Sequence, residues 1–301
     1  MTDSDDRLSA LAGAYDLHLH AAPEIFPRRG DAAEYARRAR DAGMAGILLK
    51  SHHEGTVASS GLAHHAVPEV DVYGAVTLNR FVGGINPAAA AAALETGARA
   101  VFMPSMQSRR HLEEFGSSSY GIAGLTLPPS LVDSAKDGVT VFDKDGRLSS
   151  DAREVIHMVA AHDAFLGTSH LSPQETSQVV AEAATAGTRV VISHALHIPT
   201  AEVSFFVAMA EAGALVEITA HTLSPTALAI GHGATLEAAV GLIRAVGVER
   251  MMISTDGGQP SNPWPVDMLA DFAAALRGSG VTEGELGIMM RRNPRRALGL
   301  Q

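Results

Sequence analysis

Hydrophobic residues in this chain fall into short unbroken runs, and most of the runs follow one grammar. A helix-patterned stretch reaches a glycine, two or three residues follow, and then an apolar run ends in a polar residue. Asp41-Ala42-Gly43 leads in this way to Gly46-Ile47-Leu48-Leu49-Lys50, and Glu95-Thr96-Gly97 leads to Ala100-Val101-Phe102-Met103. Ala186-Gly187 leads to Val190-Val191-Ile192-Ser193-His194, and Ala212-Gly213 leads to Val216-Glu217-Ile218. Val246-Gly247-Val248 leads to Met251-Met252-Ile253-Ser254-Thr255-Asp256. The glycine suits the left-handed residue that ends a helix. A run that does not alternate apolar with polar reads as a strand buried on both faces. Three further runs begin at Tyr15, Val72 and Ala164, which completes eight predicted strands near 15–20, 46–50, 71–77, 99–103, 164–169, 189–193, 214–219 and 250–255. Helical patterns lie between most of them, over 32–42, 87–96, 152–162 and 173–186.

Eight alternating strand and helix units predict a (β/α)8 TIM barrel formed by a single domain, 1–301. A doubly wound open sheet is the competing layout. No GxGxxG or GxxxxGK[ST] follows a strand to support it. The rhythm breaks once, after the fourth strand, where 106–151 is far too long for a barrel connection. Asp145-Gly146 in it is a turn signal between short apolar runs. Lying on the face where barrel enzymes carry their sites, the segment is expected to act as a lid or an oligomer contact. Leu125, Leu127, Leu131 and Val132 need burial somewhere, which predicts a homo-oligomer as well as a covered site.

Composition narrows the chemistry. There is no cysteine among the 301 residues, so disulfides, thiolate metal sites and a cysteine nucleophile are excluded. A formal charge of -10 disfavours nucleic acid and anionic membranes as partners and leaves a small-molecule substrate. The acidic start, Met1-Thr2-Asp3-Ser4-Asp5-Asp6, lacks the apolar core of a signal peptide, so a cytoplasmic location is expected. Fourteen histidines is a high number for this length, and their positions matter more than their count.

The first strand ends in His18-x-His20, the second in Lys50 followed by His52 and His53, and the fifth in His170. The sixth ends in His194, the seventh in His221 and the eighth in Asp256. In a barrel all these ends open on one rim, so the residues converge there. Neutral imidazoles with a carboxylate form a site for a divalent metal, zinc first, with manganese, iron or cobalt as alternatives. Arg80 follows the third strand, where an arginine can bind a carboxylate or phosphate. Together with His53 and His221 it is the expected substrate contact. His64, His65, His111, His157, His162, His197 and His232 read as structural, and Asp16 as facing the outer layer.

The elements Asp16-Leu17-His18-Leu19-His20, His170, His194 and Ser254-Thr255-Asp256 resemble the amidohydrolase superfamily of metal-dependent hydrolases, as does the ending Asn293-Pro294-x-x-Ala297-Leu298-Gly299-Leu300. Leu49-Lys50-Ser51-His52, Ser169-His170-Leu171-Ser172-Pro173-Gln174-Glu175 and Thr255-Asp256-Gly257-Gly258-Gln259 look like a branch near the phosphotriesterase-like hydrolases. The resemblance implies a distorted barrel with His18, His20, His170, His194 and Asp256 around one or two ions. One departure stands out: binuclear members carry a lysine or glutamate at the end of the fourth strand, and here Met103-Pro104-Ser105-Met106-Gln107 offers neither. Either Lys50 bridges two ions as a carbamate, or one ion is held by His18, His20, His170 and Asp256 while Lys50 contacts substrate and His194 acts as acid or base. Asp256 is then the expected general base, and His194 or His221 stabilises the developing oxyanion. The expected reaction is hydrolysis of an amide, lactam or related C–N bond. A lactonase, phosphoesterase or decarboxylase is the enzymatic alternative, and a metal-free binding or assembly protein the non-enzymatic one.

Overall fold

The computed structural model describes residues 8–300 apart from 123, 135, 137, 199 and 200. Its strands are β1 (Tyr15–Leu19), β2 (Gly46–Leu49), β3 (Asp71–Tyr73), β4 (Ala75–Thr77), β5 (Ala100–Phe102), β6 (Phe165–Gly167), β7 (Arg189–Ile192), β8 (Leu215–Thr219) and β9 (Met251–Ser254). They pair in parallel and in chain order within two sheets, β1-β2-β3 and β4 to β9. β3 and β4 are two halves of one barrel strand, broken at Gly74, where a Cβ would lie 2.6 Å from the Val57 backbone. The ring closes between β9 and β1. The His20 N–H donates to Gly257 O at 2.9 Å, and the Asp256 N–H donates to His18 O at 2.8 Å. These are the eight barrel positions that the apolar runs predict.

Tyr15, Leu17, Leu48, Phe102, Phe165, Val191 and Met252 fill the barrel interior, and a larger cluster seals the strands to the surrounding helices. Each fully buried Leu or Phe contributes about 1.5–3 kcal/mol by leaving water. Helix ends follow local chemistry. The helix Pro173–Ala186 starts on Ser172, whose hydroxyl accepts from the Glu175 N–H while Glu175 returns the bond, and it stops at Gly187 with φ 75. A short helix, Asn293–Ala297, closes the far end of the barrel. There Asn293 Nδ2 donates to Val248 O and Met251 O.

The connection after β5 forms a helix, Arg109–Phe115, then irregular chain, then the turn around Asp143-Lys144-Asp145-Gly146 before the helix Ser150–Ala161. Leu125 and Leu127 are buried with Phe26 and Met106 in a separate small cluster beside Tyr120 and Ile230. The chain therefore covers these leucines itself, while Val132 stays 40% exposed. No helix among the described residues is long and apolar enough to cross a membrane.

Candidate metal centre

The centre is built from strand ends, and the local backbone explains how they aim. The register of β1 against β2 shifts between Asp16 and Leu19. Tyr15 and Leu17 face the barrel interior, Leu19 joins the outer core, and His18 and His20 present to the mouth. Ser169, His194 and Asp256 hold left-handed backbones with φ 48, 34 and 50. Non-glycine residues in that region cost about 1–3 kcal/mol each and cluster where function fixes the chain.

His18 Nδ1 lies 2.9 Å from Glu217 Oε2. A carboxylate only accepts, so Nδ1 carries the proton and the Nε2 lone pair is free to face the centre. That Nε2 is 3.4 Å from Asp256 Oδ1, and His20 Nε2 is 3.3 Å from the same oxygen. Ligand atoms 2.0–2.1 Å from a tetrahedral zinc are about 3.3–3.4 Å apart. Both imidazole nitrogens thus stand at ligand spacing from Asp256, and the ligand atoms of the three residues lie within 4.8 Å of one another. His194, His197 and Asp256 form a second trio, with ligand atoms within 4.8 Å of one another. His20 Nδ1 and His194 Nδ1 are buried without a hydrogen-bond partner among the described residues.

Charge and burial point the same way. Burial pushes His20, His170, His194 and His197 well below the usual imidazole range, so their lone pairs are available near neutrality. Burial also works to raise the Asp256 carboxyl, but His18, His20 and His221 outweigh it and hold the group well below the carboxylate range. Lys50 is fully buried, its Nζ 3.1 Å from His18 Nε2 and 4.8 Å from the Phe102 ring centre. Burial lowers its pKa to about 8 against the pull of Asp256 and Glu217. The carboxylates of Glu217, buried, and Asp256, partly buried, thus face one lysine, an imbalance that a divalent cation relieves. These residues fit such an ion.

His20, Lys50, His170, His194, His197, His221, His232 and Asp256 line one cavity of ≈ 40 Å³. Phe26, Tyr120, Leu125 and Ile230 close its apolar side, and Arg28, His52 and Gln259 complete it. Arg28 is pinned by Glu24, which also receives His52. Of the residues singled out in the sequence, His18 lies behind the cavity wall at the metal trio, and His221 faces in, its Nδ1 3.0 Å from Ser224 Oγ. His170 reaches the cavity with its ring 4.8 Å from that of His194, but it falls outside both trios.

Two expected substrate contacts sit elsewhere. Arg80 pairs with Asp133 at 2.8 Å and is 45% exposed, because the turn Arg80–Val82 directs it toward the inserted segment and away from the cavity. His53 is part-exposed and bonds Ser51 Oγ, outside the cavity lining. In the other direction, His111, His197 and His232, read as structural, pack into the imidazole cluster around His170. Glu217 was missed although its signal was present: it is a lone charge inside an apolar run. Asp16 bonds Thr255 and borders a small cavity under the outer helices, as expected, with burial raising its pKa to about 6.

No curated protein matches the chain by sequence. An amidohydrolase from Pseudomonas aeruginosa shares 14% identity over 98% of both chains, with a TM-score of 0.61. A probable dipeptidase, PvdM, from the same organism shares 14% over 98% of this chain and 97% of its own, with a TM-score of 0.62. The organophosphorus hydrolase from Deinococcus radiodurans shares 14% over 97% and 94%, with a TM-score of 0.59. The chain thus shares its fold with these three proteins. By sequence, residues 13–217 match a family of unknown function, and the chain belongs to that family, DUF6282.

Proposed function

We propose that this protein is a metal-dependent hydrolase that cleaves an amide, lactam or related C–N bond in a small molecule. The observation that carries the reading is the convergence of His18 Nε2 and His20 Nε2 on Asp256 Oδ1, at 3.4 and 3.3 Å, at the wall of the cavity. His18, His20 and Asp256 would hold one ion, and His194 with His197 or His170 a second that shares Asp256. Zinc suits this imidazole-rich set best, ahead of manganese, iron or cobalt. Such an ion supplies Lewis acidity, which acidifies water and polarises a carbonyl.

The chain's own residues do the rest. Asp256 accepts the proton of the attacking water and passes it to the leaving nitrogen. His221, and His194 where only one ion is held, would face the developing negative charge. Lys50 would either help to hold the metal as a carbamate or contact substrate through its amine. Tyr120, Leu125, Phe26 and Ile230 shield the polar residues of the ≈ 40 Å³ cavity from bulk water. A cytoplasmic homo-oligomer belongs to the same reading, and sedimentation of the purified protein tests the second part.

Metal analysis of protein expressed with added zinc or manganese tests the proposal. At least one equivalent is expected, and less than about a tenth of an equivalent favours a binding protein instead. A panel of amides, lactams, lactones and phosphoesters assayed with both metals then separates the C–N reading from a lactonase or phosphoesterase.

A further inference from the structure

The inserted segment does more than cover the cavity. The His170 carbonyl accepts from Ser108 Oγ at 2.9 Å and from Arg110 Nε at 3.0 Å, and the His170 N–H donates to Pro104 O at 3.1 Å. Ser108 also caps the helix Arg109–Phe115 by accepting from the His111 N–H, so one hydroxyl ties His111 and His170 together. Their rings meet directly, with His170 Nδ1 2.9 Å from His111 Nδ1, both residues being buried.

We propose that His111 is a positioning residue, which accepts from His170 Nδ1–H and so fixes the tautomer whose Nε2 lone pair faces the cavity. This rests on the reading of the cavity as a metal centre. A contact between two imidazole nitrogens needs one donor and one acceptor, so the two rings hold opposite tautomers. In the reverse arrangement the Nε2 of His170 carries the proton and can ligate nothing. With His170 as donor, the His111 proton sits on Nε2. The His111 imidazole also interacts with the Ser117 backbone, and its ring packs against Phe115 at 4.7 Å and steeply against Tyr120 at 5.4 Å.

Long-range nitrogen–proton spectra of the full chain, labelled with ¹⁵N-histidine and free of metal, read the tautomer directly. Competition with a chromophoric chelator reads zinc affinity. His170 is expected as the Nδ1–H form in the native protein. His111→Phe should lose that signature and weaken zinc about ten- to a hundredfold, the usual effect of removing a partner behind a ligand. His111→Gln, whose amide oxygen can accept, should recover zinc affinity to within about threefold. A native His170 protonated on Nε2, or unchanged zinc affinity in a folded His111→Phe, overturns the inference. If the native chain takes up no zinc, the functional reading fails, while the spectra still decide the tautomer.

Discussion

Glu217 Oε2 accepts from His18 Nδ1 at 2.9 Å and from the backbone N–H of His194 at 3.0 Å, so one buried oxygen sets the aim of two strand ends. Such a partner raises the basicity of the imidazole it holds and locks its orientation. Glu217→Gln keeps the shape but removes the charge, and its amide can turn an N–H toward His18. Zinc affinity should fall about ten- to a hundredfold while the thermal midpoint stays within a few degrees. Equal affinity in the native protein and the variant would show that Glu217 is only a structural acceptor.

Asp256 carries a different load, because it borders both trios and faces the cavity. An amide cannot take up the proton of water, so Asp256→Asn should lower kcat by at least about a thousandfold, at the upper part of the range for general-base removal. Circular dichroism should be unchanged. Near-native turnover in that variant would assign the base elsewhere.

Lys50 predicts a pH dependence whose sign follows from its environment. Its pKa is lowered from the ordinary 10.5 to about 8 by burial. Below about pH 8 its ammonium donates toward His18 Nε2, the lone pair that a metal needs. Zinc uptake then releases a proton, and apparent affinity should rise by up to about tenfold per pH unit until pH 8 and level off above it. Titrations from pH 6 to 9 check the slope, which Lys50→Met should flatten. The same shift makes the fold gain stability between about pH 8 and 10.5, where the unfolded chain binds the extra proton. If Lys50 serves as a carbamate, formate or acetate should partly restore Lys50→Ala, and a bare amine beside one ion would rule the bridge out.

Gly258 has φ 123, and a Cβ there would lie 2.1 Å from His20 O. Since His20 cannot retreat without leaving the trio, Gly258→Ala should cost metal occupancy as well as about 1–3 kcal/mol of stability. Metal content and thermal melting report the two effects separately.

Five of the eight barrel strands were legible because each is an apolar run preceded by a helix-ending glycine, and the runs at Tyr15, Val72 and Ala164 were legible from their place in the rhythm. His18, His20, His194 and Asp256 were legible because they close those runs. His111, His197 and His232 were not, since they lie on a helix and loops with no period to mark which way they face. Arg80 misled for the same reason: its place after a strand is visible in sequence, whereas the salt bridge to Asp133, 53 residues on, is not. Glu217 shows the other limit. A charge inside a buried run announces a partner, but only the fold shows that the partner is His18.

The cover over the cavity offers the last test, because it has a neck. Ser118 and Asp133 meet there, the Asp133 N–H donating to Ser118 Oγ at 2.8 Å and the Ser118 N–H to Asp133 O at 3.3 Å. Residues 119–132 can therefore be replaced by two glycines without stretching the chain. The excision removes Tyr120 and Leu125 from the cavity and leaves every candidate ligand, with Ser108 and Arg110, in place. Zinc stoichiometry should be kept. Turnover should fall about a hundredfold, the size of loss that follows from small misplacement of a substrate once positioning contacts go. Phe26 and Met106, now uncovered, should raise the binding of a hydrophobic dye. A folded variant with native kcat/KM would make the segment a dispensable insertion and leave substrate selection to the loops after His221 and Asp256.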